Sequence, residues 1–101
     1  MMNLYIIRRR QAWKTAAELE KAASISARIG NEEMPDKVRW IRSYVVKETD
    51  GQLGTLCIYE ALDEASLLEH ARRVGMPADE ITLVAQTVVV RDDPSAAEKA
   101  A

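Results

Sequence analysis

Apolar positions along the chain alternate between a period of two and a period near 3.6, and the switches divide it into six elements. "MNLYIIRR" (2–9) is rich in Leu, Tyr and Ile and predicts a strand. "KTAAELEKAASISARIGNEE" (14–33) follows with helical spacing. Thr15 and Glu18 form a capping box, Leu19, Ala22, Ala23, Ser26 and Ile29 share one side, and Gly30 and Asn31 are the expected stop. "KVRWIRSYVVKETDGQLGTLCIYEA" (37–61) reads as two extended runs about a turn at Asp50-Gly51. Asp63 caps a second helix whose apolar side is Leu67, Leu68, Ala71 and Val74. Gly75 ends it and Pro77 prevents its resumption. "EITLVAQTVVVRD" (80–92) predicts a long, β-branched final strand.

The order β-α-β-β-α-β predicts an α+β, ferredoxin-like fold: a four-stranded antiparallel sheet with both helices on one face. The domain is expected over 1–91, with 92–101 a flexible tail because it lacks apolar anchors. Strict alternation places Trp40, Arg42, Tyr44, Cys57 and Tyr59 on the open face. Ile41, Val45, Leu56 and Ile58 then lie under the helices. A face bearing a tryptophan and two tyrosines is too apolar for water, which predicts a homodimer of the α+β-barrel type, sheet against sheet. The alternative is a monomer with an aromatic ligand cleft.

Composition narrows the function. The chain has 101 residues, 48% of them hydrophobic and 30% charged, with a formal net charge of −2. One soluble domain is expected, with no long-range attraction to nucleic acid or an anionic membrane. No apolar run approaches the roughly 20 residues of a bilayer span. The start lacks the order of a secretory signal, and the single cysteine cannot form an internal disulfide, so a cytoplasmic setting is expected. Arg8, Arg9 and Arg10 read as a solvated strand end, with an anion grip as the alternative. No glycine-rich phosphate loop, RNP pattern or nucleophile triad is present.

The rarest side chains are Cys57 and His70. His70 lies about 10 Å along its helix at ~1.5 Å per residue, and Cys57 about 13 Å along its strand at ~3.3 Å per residue, so the two are level. The alternation nevertheless puts them on opposite sides of the sheet. Both have ordinary structural readings, a small buried hydrophobe and a boundary histidine.

The combination Trp40, Ser43, Tyr44, then Cys57, Tyr59, Glu60, then His70, Ala71, Gly75 and Pro77 resembles a family of small bacterial single-domain proteins often labelled nickel-binding, over roughly Leu4 to Val90. The resemblance implies a ferredoxin-like dimer that binds Ni²⁺ or another divalent transition metal. Residue type then offers Cys57 as thiolate, His70 as imidazole and Glu60 as carboxylate. Two other readings stand beside it. In one, a small molecule binds among Trp40, Arg42, Tyr44 and Tyr59, in a binding protein or a cofactor-free monooxygenase or isomerase with His70 as acid/base. In the other, the domain is an interaction module without a ligand.

Overall fold

A computed structural model describes residues 1–94; the remainder of the expected tail, 95–101, lies outside the described residues. The elements are β1 (Asn3–Trp13), α1 (Ala16–Arg28), β2 (Val38–Lys47), β3 (Leu53–Ala61), α2 (Glu64–Val74) and β4 (Glu80–Leu83). The sheet order is β2-β3-β1-β4 with every neighbouring pair antiparallel, the ferredoxin-like arrangement expected from the sequence. No helix among the described residues is long and apolar enough to cross a membrane.

Local chemistry sets the boundaries. The Thr15 hydroxyl accepts from the Glu18 amide at 3.2 Å, and the Asp63 carboxylate from the Ser66 amide at 2.8 Å, so each helix begins on a side-chain cap. Gly75 closes α2 at φ +84°, a left-handed turn that brings its N–H back to the Ala71 carbonyl. Asp50-Gly51 makes the hairpin, with Gly51 at φ +88°. The first helix does not stop at Gly30. Its last turn widens into a π-turn over Ile29–Glu33, closed by the Met34 N–H on the Ile29 carbonyl.

The core lies between the sheet and the helices. It comprises Tyr5, Ile7, Ile29, Met34, Val38, Cys57, Tyr59, Ala61 and Leu67. This corrects the expected facing: Cys57, Tyr59 and Trp40 are on the helix side, and Leu56 and Ile58 are on the open side. β3 alternates without a break and turns Cys57 and Tyr59 inward, whereas β2 changes face partway along through a β-bulge. Trp40 pairs with Tyr59 and Arg42 with Ile58, so β2 spends one extra residue, Ile41, against β3. Val38 and Trp40 point to the helices before the bulge, and Ser43 and Val45 after it. Arg42 and Tyr44 remain on the open side, as expected.

The final strand is shorter than the sequence suggests. Only Glu80–Leu83 pairs with β1. The chain from Val84 then crosses the open face as a strap. Val84 donates to the Leu4 carbonyl at 2.9 Å, and at the far side Asp93 accepts from the Tyr44 hydroxyl at 2.7 Å and from Arg42 at 2.9 Å. The strap, Arg42 and Tyr44 border a groove of about 490 Å³ on this face.

Candidate functional site: a cavity beneath the first helix

Alanines on the inner side of α1 leave room above the sheet. Leu19, Ala22, Ala23 and Ser26 form the roof of a cavity of about 280 Å³. Its floor is Trp40, Ser43, Thr55, Cys57 and Tyr59, and Arg9 and Trp13 close one end. The bulge at Ile41 brings both Trp40 and Ser43 to this floor, and the indole N–H donates to the Ser43 hydroxyl at 2.8 Å. Trp40 stacks on Tyr59 with ring centroids 6.2 Å apart. The Tyr59 hydroxyl shares a hydrogen bond of 3.2 Å with Ser26 on the roof. Burial pushes the Tyr59 phenol above its ordinary value, so it is a neutral hydroxyl here.

Arg9 was expected in water and is only 2% exposed. Alternation explains this: Arg9 continues the inward series Tyr5, Ile7 on β1. Its Nε donates to the Pro77 carbonyl at 2.6 Å, tying the segment after α2 to the sheet, and its Nη1 donates to the Cys57 sulfur at 3.2 Å. Nη2 is buried without a hydrogen-bond partner, and among the described residues no carboxylate pairs with this guanidinium. Its neighbours Arg8 and Arg10 behave as ordinary strand-end charges, paired to Glu48 and Glu80.

His70 is 1% exposed and is not part of the cavity wall. Its Nε2 lies 3.1 Å from the Ser26 carbonyl. A carbonyl only accepts, so Nε2 carries the proton and Nδ1 keeps a lone pair, which is buried without a partner. The ring meets Tyr59 edge-on at 5.6 Å. Burial, aided by the positive charge of Arg9 and Arg73, lowers its pKa and holds it neutral.

Cys57 and His70 thus occupy the same side of the sheet after all, with Tyr59 contacting His70 between the two layers. Glu60 is not brought to them. Glu60 belongs to the opposite face, in register with Leu4 and Arg39. The Cys57 sulfur sits against a guanidinium, which repels a cation, and its own hydrogen bond goes to Thr55 at 3.2 Å. Among the described residues no three His, Cys, Asp or Glu side chains cluster as a metal site. Of the four residues expected to line a ligand site, Trp40 and Tyr59 do so here, whereas Arg42 and Tyr44 border the groove beneath the strap.

The crystal structure of SCO4226 from Streptomyces coelicolor A3(2) superposes with a TM-score of 0.66 at 19% identity, covering 84% of this chain and 99% of that one, a likeness of fold. No curated protein matches the sequence. A family profile described as "Nickel responsive protein SCO4226-like" matches residues 5–84, most of the chain, and the protein belongs to that family.

Proposed function

We propose that this member of a nickel-responsive family is a small-molecule-binding protein, cytoplasmic and homodimeric, that holds its ligand in the cavity beneath α1. The observation that carries this reading is the cavity itself. At about 280 Å³ it sits at the lower edge of the roughly 300–1,000 Å³ typical of ligand pockets, which suits a compact organic molecule. Its wall combines two tryptophans and a tyrosine, which hold an apolar body, with Arg9, Ser43 and Thr55, which orient a polar group. His70 takes no part in holding that ligand, since it lies outside the cavity wall and is bonded to a backbone carbonyl.

A second reading, direct binding of Ni²⁺, is supported by the family description. The free Nδ1 of His70 is the donor best suited to it, with Cys57 as the other soft ligand on that side of the sheet. Binding there requires the Arg9 guanidinium to leave the sulfur.

One experiment separates the two. Amide NMR spectra of tag-free, isotope-labelled protein are recorded with a set of small aromatic and aliphatic compounds, and separately with Ni²⁺. The ligand reading expects shifts at Trp13, Ala23, Trp40 and Ser43 with at least one compound. Paramagnetic broadening centred on Cys57 and His70 at micromolar Ni²⁺, with no compound moving the cavity amides at millimolar concentration, would overturn it in favour of the metal.

A further inference from the structure

We propose that the cavity beneath α1 selects a small monocarboxylate with an apolar body, its carboxylate held by Arg9 and its body by Trp13, Trp40 and Tyr59. The inference rests on the cavity reading above and names the class of ligand.

A guanidinium stays protonated at any pH a protein meets, and burying it without a counter-charge is costly. Arg9 is only 2% exposed, yet the acceptors of its Nε and Nη1, the Pro77 carbonyl and the Cys57 sulfur, include no carboxylate. One of its terminal nitrogens has no acceptor at all. Arginines at strand ends elsewhere in this chain have carboxylates: Arg8 has Glu48 and Arg10 has Glu80. The buried one alone of this trio lacks one, and it is the one that lines the cavity. A carboxylate entering the cavity supplies the missing acceptor and the missing charge together, in a wall of low polarity where a charge-assisted hydrogen bond is strong.

The rest of the wall fixes the remainder of the ligand. Apart from Arg9, a few hydroxyls and the exposed carboxylate of Glu20, it is aromatic and aliphatic, and the Ser43 and Tyr59 hydroxyls are already engaged with Trp40 and Ser26. A second anionic group on the ligand would find no further cation there, since Arg9 is the only basic residue lining the cavity. This excludes dicarboxylates and phosphorylated metabolites, and favours one anionic head on an apolar body.

The test uses three probes with one carbon skeleton: 3-phenylpropanoate, its primary amide and the corresponding alcohol. Their affinities for the intact protein are measured by titration calorimetry at neutral pH. The carboxylate is expected to bind at least about tenfold tighter than either neutral probe, since only it pairs with the buried charge. In Arg9→Met the preference is expected to vanish. Ala23→Leu, which fills the cavity from the roof, is expected to abolish binding of all three. Equal or weaker binding of the carboxylate overturns the inference while leaving the cavity reading in place. Failure of all three probes to bind at millimolar concentration overturns both. Should Arg9→Met fail to fold, the comparison of probes on the unaltered protein still decides.

Discussion

A single side chain can decide how acid affects this fold, and His70 is the clearest case. It is buried, neutral, and held below its ordinary pKa by burial and then by the charges of Arg9 and Arg73. The unfolded chain protonates its histidine near pH 6.5, while the folded one does so only lower. Between those values the unfolded state binds more protons, so stability is complete above about pH 6.5 and falls as pH drops, by at most ~1.4 kcal/mol per pH unit for one group. His70→Gln retains a donor for the Ser26 carbonyl but cannot titrate. Urea unfolding midpoints measured from pH 7 to pH 5 are expected to fall in the parent and to stay nearly level in this variant. The same loss in both would show that His70 does not govern the slope. The carboxylates with lowered pKa values, such as Glu69 at about 2 beside Arg72 and Arg73, lose their contribution only at lower pH and leave this window clear. At this scale the sequence was most misleading about Arg9. Three consecutive arginines look like a solvated end, and only the parity shared with Tyr5 and Ile7 shows that the middle one points inward.

Elements are legible where the backbone demands a particular residue type. Thr15, Asp63, Asp50-Gly51 and Gly75 each announce a cap or a turn, because hydroxyls and carboxylates satisfy free amides and glycine accepts positive φ. Irregularities within elements carry no such mark. The bulge at Ile41 is made by an ordinary β-branched residue, yet it reverses the facing of the rest of β2. Gly54 in β3 shows a related effect from close packing. A Cβ there would lie 2.5 Å from the Arg9 carbonyl oxygen and 2.8 Å from the Arg8 guanidinium, and would also strike the Glu48 carboxylate. The carbonyl belongs to the paired strand and cannot step aside without breaking the ladder. Gly54→Ala is therefore expected to destabilise the protein by roughly 2–3 kcal/mol, as overpacking does. Gly51→Ala, which meets nothing within 4 Å, is expected to cost only the strain of its left-handed backbone, about 1 kcal/mol. Chemical denaturation of the two variants tests the contrast, and equal losses would show that conformation rather than packing fixes Gly54.

At the scale of the whole molecule, the order of elements was enough for topology, because only a few connections suit β-α-β-β-α-β. It was not enough for the open face. The long strand expected over 80–92 ends at Leu83, and its β-branched remainder leaves Val88, Val89 and Val90 80%, 71% and 83% exposed. Leu83 and Ile41 are exposed nearby, at 58% and 46%. Valines have a strong preference for strands and gain nothing from facing water in an irregular strap. A second copy laid sheet against sheet would cover this face and offer backbone partners to the strap. The expected outcome is a species of twice the chain mass in sedimentation equilibrium at micromolar concentration. Ile41→Glu with Val89→Asp places two carboxylates on that face and is expected to convert it to the single-chain mass while circular dichroism stays that of the folded protein. Because Trp40, Tyr59 and Arg9 lie on the other side of the sheet, the double variant is expected to bind cavity ligands as the parent does. A single-chain mass for the parent would rule out the dimer. Loss of ligand binding together with dimerisation would mean that the two faces communicate through β1, β2 and β3, each of which lines both the cavity and the open-face groove.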